Sequence, residues 1–478
     1  MSLRKKAVSG LFWTFSQQFG VQGINFVVSV LLARVLMPEA FGIIGMIAIF
    51  MAVGRTLMDS GLTSSLIRTP NADQLDYSTV FLINLGGSVI IYAILFFTSP
   101  LIAAFFDQEV LTDVIRVYCL TFIIRAFSGV QSARLTKEMN FKMQMTIQIP
   151  SLIGGGILGI YLAHQGYEVW SLVWMNVFQA TLSSLQLWIR SGWTPSFAFS
   201  AERFQRHFGF GYKLTLSSII DTIYQNLYNI VIAKFFSAAQ LGYYTRAQSL
   251  KQLPVSNIST ALNKVTYPMF AKIQDDNAKL KIAYKKAMQQ VLFWVAPTLV
   301  ILAAVAEPLF RFMLTEKWLP AVPYFQLLCV VGIMYPLNSY NLNILKVKGR
   351  SDLFLRLEII KKAYITLGIF CAIPFGIYGL LYFQVISTFI SFFINTYYSG
   401  RMINYPVTEQ IRDIAPIITL AGVIFGIASA TDYWLAPHTI DIIRVGTTSI
   451  IAFLLYLAFA VGFRLNSVKD FKNIVLQK

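Results

Sequence analysis

The chain has 478 residues, 56% hydrophobic and 13% charged, with a formal net charge of +17. Soluble proteins carry about 25% charged residues, and long chains divide into modest domains instead of growing one large core. An ordinary soluble fold is therefore excluded and the bilayer becomes the natural solvent. The position of the charges, given below, excludes nucleic acid as the reason for the basic excess.

Apolar segments near the ~20 residues of a spanning helix recur along the whole chain. The first, 9–33, follows the basic start "MSLRKKAVSG". It is too long and too rich in amides for a signal-peptide core, so a first transmembrane helix is expected. The second, 41–64, carries Arg55 and Asp59 at i and i+4, a spacing at which they can neutralise each other. After 79–99 comes 110–132, with Arg116 and Arg125 nine residues apart and so on opposite faces; at most one looks inward. The fifth, 144–163, contains "IGGGILGI", whose Gly155 and Gly159 form a close-packing pattern. Next are 168–189 and 210–234, then 242–270, the least apolar. That eighth segment holds Arg246, Lys251, Pro254 and Lys264, and no Asp or Glu occurs from Gly242 through Gln274. The remaining segments are 285–306, 322–345, 353–373, 377–398, 413–430 and 441–462. In 353–373 the charges Arg356, Glu358, Lys361 and Lys362 cluster near one end and read as interfacial. The expectation is an all-α polytopic membrane protein with about fourteen transmembrane helices.

Cytoplasmic loops of membrane proteins concentrate Lys and Arg. With both termini cytoplasmic, one set of loops and helix ends holds nearly all the basic residues, from Arg4, Lys5 and Lys6 through Lys346, Lys348 and Arg350 to Arg464 and Lys469. The opposite set holds few, among them Arg34, Arg311 and Lys317, and "FFDQEV", "HQGYEV" and "ATDYWLAPHTID" contain no Lys or Arg. A missed helix would scramble this alternation, so the basic excess reports topology.

A weak repeat runs at an offset of 200 residues. In "VVSVLLARVLMPEAFG" (27–42) and "YNIVIAKFFSAAQLG" (228–242), Ala33-Arg34 and Phe41-Gly42 match Ala233-Lys234 and Leu241-Gly242. It equates the first and second helices with the seventh and eighth. Parallel halves of this kind are a transporter architecture, with the site at their interface.

The first helix carries Thr14, Gln18, Gln22, Asn25 and Ser29 at helical spacing on one face. The seventh carries Ser217, Asp221, Gln225 and Tyr228/Asn229 in the same manner. Such residues can simply bond one helix to another. Two stripes at equivalent places favour a shared polar cavity. A charge at mid-bilayer costs about 2.5–3.5 kcal/mol even on the lenient insertion scale and usually faces a cavity or a partner. Arg246 and Lys264 can also snorkel to opposite interfaces; Lys251 is hardest to explain that way. A polar cavity with excess cations suits an anionic solute such as a phosphate.

Other chemistries find no support. The sequence has no GxxxxGK[ST], so no ATP-binding P-loop, and no GxSxG or HExxH. Cys119, Cys329 and Cys371 lie in apolar stretches and read as small hydrophobes. No enzyme activity, metal or cofactor is expected, and uphill work would draw on a proton, sodium or substrate gradient.

Several stretches together carry a family resemblance. They are "LRKKAVSGLFWTFSQQFGVQGINFVVSVLLARVLMPEAFGIIGM", "DSGLTSSLIR" (59–68), "STVFLINLGGSVIIYAILFFTSPLIAAFF" (78–106), "FGFGYKLTLSSIIDTIYQNLYNIVIAKFFSAAQLGYYTRAQSLKQLP" (208–254) and "VTYPMFAKIQDD" (265–276). Over nearly its whole length the chain resembles bacterial polysaccharide exporters of the colanic-acid and teichuronic-acid type. These belong to the MOP superfamily, with the MATE exporters and the lipid II flippase. The resemblance implies two six-helix lobes, 1–205 and 206–400, and two extra helices with a cytoplasmic tail, 401–478. It implies alternating access across a cationic cavity in the bacterial inner membrane. The implied cargo is an undecaprenyl-diphosphate-linked oligosaccharide, moved to the periplasmic leaflet for surface polysaccharide synthesis.

Placed on this sequence, the cationic cavity comprises Arg55, Arg125, Arg246, Lys251 and Lys264, lined by Gln18, Gln22, Asn25, Gln225 and Asn229. Asp59 and Asp221 are the candidates for ion coupling. Expected partners are the lipid-linked substrate, membrane lipids, and a polysaccharide polymerase or glycosyltransferases, with no nucleic acid. The alternatives are a MATE-like drug/cation antiporter, a polyprenyl-linked glycosyltransferase using Asp275 and Asp276, and a scaffold of a polysaccharide assembly complex.

Overall fold

A lipid-exposed chain must satisfy its backbone hydrogen bonds internally, which leaves helices or closed barrels. The computed structural model describes residues 3–59 and 61–469, without the side chains of 3–12, 14, 15, 59, 210, 211, 213, 214, 260–265 and 267. Among the described residues every regular element is helical. In chain order they are α1 (Leu3–Val35), α2 (Pro38–Asp59), α3 (Leu62–Arg68), α4 (Gln74–Phe106), α5 (Leu111–Tyr118), α6 (Leu120–Lys137), α7 (Phe141–His164), α8 (Val169–Arg190) and α9 (Ala201–Gln225). There follow α10 (Leu227–Phe235), α11 (Ala238–Lys272), α12 (Asn277–Ala304), α13 (Ala306–Leu314), α14 (Val322–Val347), α15 (Ser351–Ala372), α16 (Gly376–Met402), α17 (Val407–Leu435) and α18 (Asp441–Gly462).

Each of the fourteen expected segments falls on one helix or on a helix interrupted once. Two interruptions fall well inside a segment, at Cys119 between α5 and α6 and at Asn226 between α9 and α10; 41–64 and 285–306 instead reach from α2 into α3 and from α12 into α13 near their ends. Nine runs of the described chain are long and apolar enough to cross a membrane, and one of them, Ser351–Met402, covers two of the expected segments. The segments outside those runs lie on α5–α6, α8, α9–α10 and α11. They carry Arg125, Gln179, Asp221, Arg246 and Lys251, so the polar load that hides them from hydropathy is also what a transport site needs.

The helices group into two compact units, Met1–Gly242 and Tyr243–Lys478. The boundary falls inside α11, because α9 packs on α2 and α10 on both α2 and α4 in the first unit. In that unit α7 lies between α1 and α8. Its glycines permit this on both sides: a Cβ at Gly155 would stand 2.9 Å from the Met175 carbonyl of α8, and one at Gly156 2.6 Å from Val28 of α1. The second unit is built on α12, which packs against α14 and α17. Tyr284, Tyr340 and Tyr405 are fully buried at one end of it, each ring edge-on to a neighbour. Asn341 donates to Thr396 at 3.1 Å and accepts from Ser399 at 2.6 Å, bonding α14 to α16 in a buried setting.

The repeat appears in the backbone. α1 ends at Val35 and α2 begins at Pro38; α10 ends at Phe235 and α11 begins at Ala238, the same offset of 200. The two copies touch within the first unit. A Cβ on Gly42 would lie 1.8 Å from the Ala238 carbonyl oxygen, and one on Gly242 2.0 Å from the Pro38 carbonyl oxygen. Only glycine lets these backbones approach so closely.

Candidate functional site

Seven helices of the first unit line a polar cavity of about 370 Å³. α2 contributes Arg55, α6 contributes Arg125, and α1 contributes Gln17. α7 adds Gln144 and Gln148, and α8 adds Gln179 and Ser183. Asn84 of α4 also reaches it, and its buried side-chain oxygen has no hydrogen-bond partner among the described residues. No Asp or Glu is among the described lining residues, and the Asp59 side chain lies outside them.

The walls are held by their own polar contacts. Gln17 Nε2 donates to Gln148 Oε1 at 2.6 Å, joining α1 to α7. Gln144 donates to Thr136 at 2.8 Å, and Gln186 of α8 donates to Ser151 at 2.9 Å. Both guanidiniums line this one cavity. Two forked donors beside amides and hydroxyls make a pocket suited to phosphate oxygens with polar neighbours.

The other expected cations sit in the second unit. Arg246 is buried, its guanidinium 5.5 Å from the centroid of the Trp318 ring. Trp318 is itself fully buried and edge-on to Tyr243. This is a desolvated cation–π contact and not a side chain reaching for an interface. Lys251 is also buried; its stem packs where Gly332 leaves room, 3.0 Å from a Cβ that glycine lacks. Among the described residues Lys251 has no ion-pair partner. The side chain of Lys264 lies outside the described residues, as does that of Asp59. Of the α5–α6 arginines, Arg125 faces the cavity while Arg116 pairs with Asp113 at 3.7 Å and lies over the Phe96 ring.

The amide stripes are placed differently. Gln17 lines the cavity, whereas Gln18, Gln22 and Asn25 do not; successive residues on a helix point about 100° apart. Gln18 and Asn25 are exposed and Gln22 is half-buried. Gln225 and Asp221 are exposed on α9, and Asn229 donates to Asn226 at the α9–α10 interruption. The residues that sequence reasoning missed are Asn84, Gln144, Gln148, Gln179 and Ser183. A usable signal existed for two of them: Gln144 and Gln148 are at i and i+4 in an otherwise apolar helix.

A second cluster closes one end of this unit. Asp76, fully buried in the first turn of α4, accepts from Arg203 at 2.8 Å, from Arg206, and from His207 Nε2 at 3.2 Å. The other ring nitrogen of His207 meets the Ser65 hydroxyl at 2.7 Å. This cluster ties α9 to α3 and α4. Its cations are already paired and are not part of the polar cavity.

A family model described as "Polysaccharide biosynthesis protein" matches residues 31–323, more than half of the chain. The chain belongs to that family. Among its relatives, lipopolysaccharide biosynthesis protein WzxC of Escherichia coli (strain K12) is 27% identical over 82% of each chain. Teichuronic acid biosynthesis protein TuaB of Bacillus subtilis (strain 168) is 26% identical over 91% of each. Succinoglycan biosynthesis transport protein ExoT of Rhizobium meliloti (strain 1021) is 24% identical over 70% of this chain and 68% of its own. In fold, the chain is similar to the lipid II flippase MurJ in an inward closed conformation. The TM-score is 0.73 at 15% identity, over 95% of this chain and 99% of that one. It is also similar to an inward-facing MATE transporter of the MOP superfamily, with TM-score 0.60 at 18% identity, over 80% and 95%. The chain is thus an all-α, multi-pass membrane protein with the fold that flippases and MATE transporters share.

Proposed function

We propose that the protein is a flippase that carries a polyprenyl-diphosphate-linked oligosaccharide across a bacterial cytoplasmic membrane during surface polysaccharide synthesis. The single observation that carries this reading is the cavity that holds both Arg55 and Arg125 among amides and hydroxyls. Its volume is that of a small-ligand site, matching the anionic head of such a lipid and not a chain of sugars. Arg55 and Arg125 hold the diphosphate through paired N–H donors, while Gln144, Gln148, Gln179 and Ser183 bond the adjoining sugar hydroxyls. Arg246, Lys251 and Lys264 form a second cationic group that takes the diphosphate as access alternates between leaflets. Gln18, Gln22, Asn25, Gln225 and Asn229 contact the glycan. Asp59 and Asp221 are the sites at which a proton or sodium ion couples.

Both termini are cytoplasmic in this proposal, as the loop charges require. The membrane lipids surround the chain, and a polymerase or glycosyltransferases act on the same cargo before and after it. A MATE-like antiporter for cationic drugs would need carboxylates where this cavity has arginines. A glycosyltransferase would need a free acidic pair, yet Asp276 caps α12 by accepting the Lys279 backbone N–H at 3.0 Å and pairs with the Lys279 side chain. Three relatives are named for polysaccharide biosynthesis, one of them expressly for transport.

The test is transfer in proteoliposomes. A lipid-diphosphate oligosaccharide is placed in one leaflet and its exposure to an added glycosidase is followed, with and without a proton or sodium gradient. Protein-dependent exposure is expected. A charge-assisted hydrogen bond is worth about 1.5–3 kcal/mol, so Arg55→Gln and Arg125→Gln should each slow transfer roughly 10- to 100-fold without changing membrane insertion. Wild-type rates in the double variant would overturn the site. Export of a cationic dye with no lipid transfer would favour the antiporter.

A further inference from the structure

A larger cavity, about 760 Å³, lies in the second unit between α17 and α18. Its α17 wall is one face of the helix: Arg412, Ala415, Pro416, Thr419 and Val423 follow each other at i, i+3, i+4, i+7 and i+11. At 1.5 Å per residue this wall is about 16 Å long, close to half of a ~30 Å hydrocarbon core. Phe459 and Phe463 form the facing apolar wall. Arg412 and Arg464 both line the cavity at the end that loop charge assigns to the cytoplasm. Both are exposed, and neither has an ion-pair partner among the described residues.

The neighbouring carboxylates are engaged elsewhere. Glu409 takes Lys281 at 2.6 Å and Asp413 takes Lys285 at 2.6 Å, so both acids are drawn toward α12. Arg464 is held at φ 51°, a left-handed position that glycine usually fills at a helix C-terminus. A guanidinium there is the costlier choice. Pro416 has no N–H for the Arg412 carbonyl, leaving an acceptor beside the Arg412 side chain.

We propose that this groove binds an anionic glycerophospholipid of the cytoplasmic leaflet. Its phosphate sits between Arg412 and Arg464, a headgroup hydroxyl donates to the Arg412 carbonyl, and an acyl chain lies along α17 between Thr419 and Phe463. Basic pockets between membrane helices at the cytoplasmic face recognise such headgroups. The depth of one leaflet fits an acyl chain of that leaflet. A polyprenyl tail that crosses with its head would need a path through both. The assignment rests on the proposed orientation and not on the identity of the cargo.

The test is lipid retention, read without transport. The full chain is purified from bilayers of equal phosphatidylglycerol and phosphatidylcholine, and the lipids that stay bound are weighed by native mass spectrometry. Phosphatidylglycerol should be enriched roughly ten-fold, and Arg412→Gln with Arg464→Gln should bring it to parity. Arg464→Gly relieves the backbone strain and should unfold no more readily than wild type while still losing enrichment. Arg134→Gln with Lys279→Gln removes the same charge elsewhere and should leave enrichment intact. The proposal is overturned if the groove variants keep their phosphatidylglycerol, if the control pair loses as much, or if a polyprenyl diphosphate displaces the lipid from the groove.

Discussion

Asp76 shows how much one residue can hold. It is a fully buried carboxylate that meets Arg203, Arg206 and His207 while its own backbone N–H bonds Asp73 at 2.9 Å. Replacing it with Asn removes the charge but keeps the shape. Leaving these donors under-satisfied costs about 1–3 kcal/mol, and both arginines are partly exposed, which keeps the loss toward the lower end. A thermal midpoint in detergent lowered by several degrees is expected for Asp76→Asn. An unchanged midpoint would mean that the cluster is only a surface ornament. Single residues were the hardest part to read from the sequence. The rule that spaced Gln18, Gln22 and Asn25 along one face was sound, yet Gln17 is the residue that lines the cavity. A hydropathy pattern fixes which helix is polar, but the absolute rotation of that helix depends on partners such as Gln148, which lies 131 positions away.

Elements were more legible than side chains. The turn chemistry around Pro38 and Ser237 sets the same break twice, and the offset of 200 residues was visible in a handful of matched positions. The interruptions at Cys119 and Asn226 left no comparable mark, because neither carries a proline or glycine at the break. The close crossings give a direct test. A methyl group at Gly42 would sit 1.8 Å from a backbone carbonyl oxygen, so the helices and not a side chain must move. Overpacking of this kind costs about 1–3 kcal/mol, and Gly42→Ala and Gly242→Ala should each destabilise the protein by that amount in reversible unfolding. A substitution at Gly23, which has open space around it, should cost much less. The polar bonding of α14 to α16 should prove weaker. Asn341→Ala should cost about 0.6–1.7 kcal/mol, the range measured for bonds between membrane helices, and a loss beyond that would indicate a role outside packing.

At the scale of the whole molecule, composition was enough to place the chain in a bilayer, and the alternation of loop charge predicts fourteen spans with both termini cytoplasmic. Hydropathy alone recovers ten of the fourteen segments, because α5–α6, α8, α9–α10 and α11 are the ones that carry polar side chains. The repeat assigns α9 and α10 to the second half, whereas their contacts place them with the first unit. The orientation is open to a simple check. Alkaline phosphatase fused after Gly166 should be active and the same enzyme fused after Gly349 inactive, since the first loop lacks Lys and Arg and the second follows Lys346 and Lys348. The reverse pattern would invert the topology and with it the assignment of the lipid groove.

The paired glycine crossings carry one more consequence. Residue 42 meets 238 while 242 meets 38, the reciprocity that a two-fold axis imposes when two identical subunits pair. A homodimer is bound by that symmetry: any substitution appears twice, and both sides of its cavity must change together. Once both copies lie on one polypeptide, each can be altered alone. The result is visible here as two arginines in an amide-lined cavity on one side of the sequence, and an arginine on a tryptophan with a buried lysine on the other. Asymmetry of this sort is useful to a carrier whose cargo has different ends, and it is a freedom that a pair of identical chains never has.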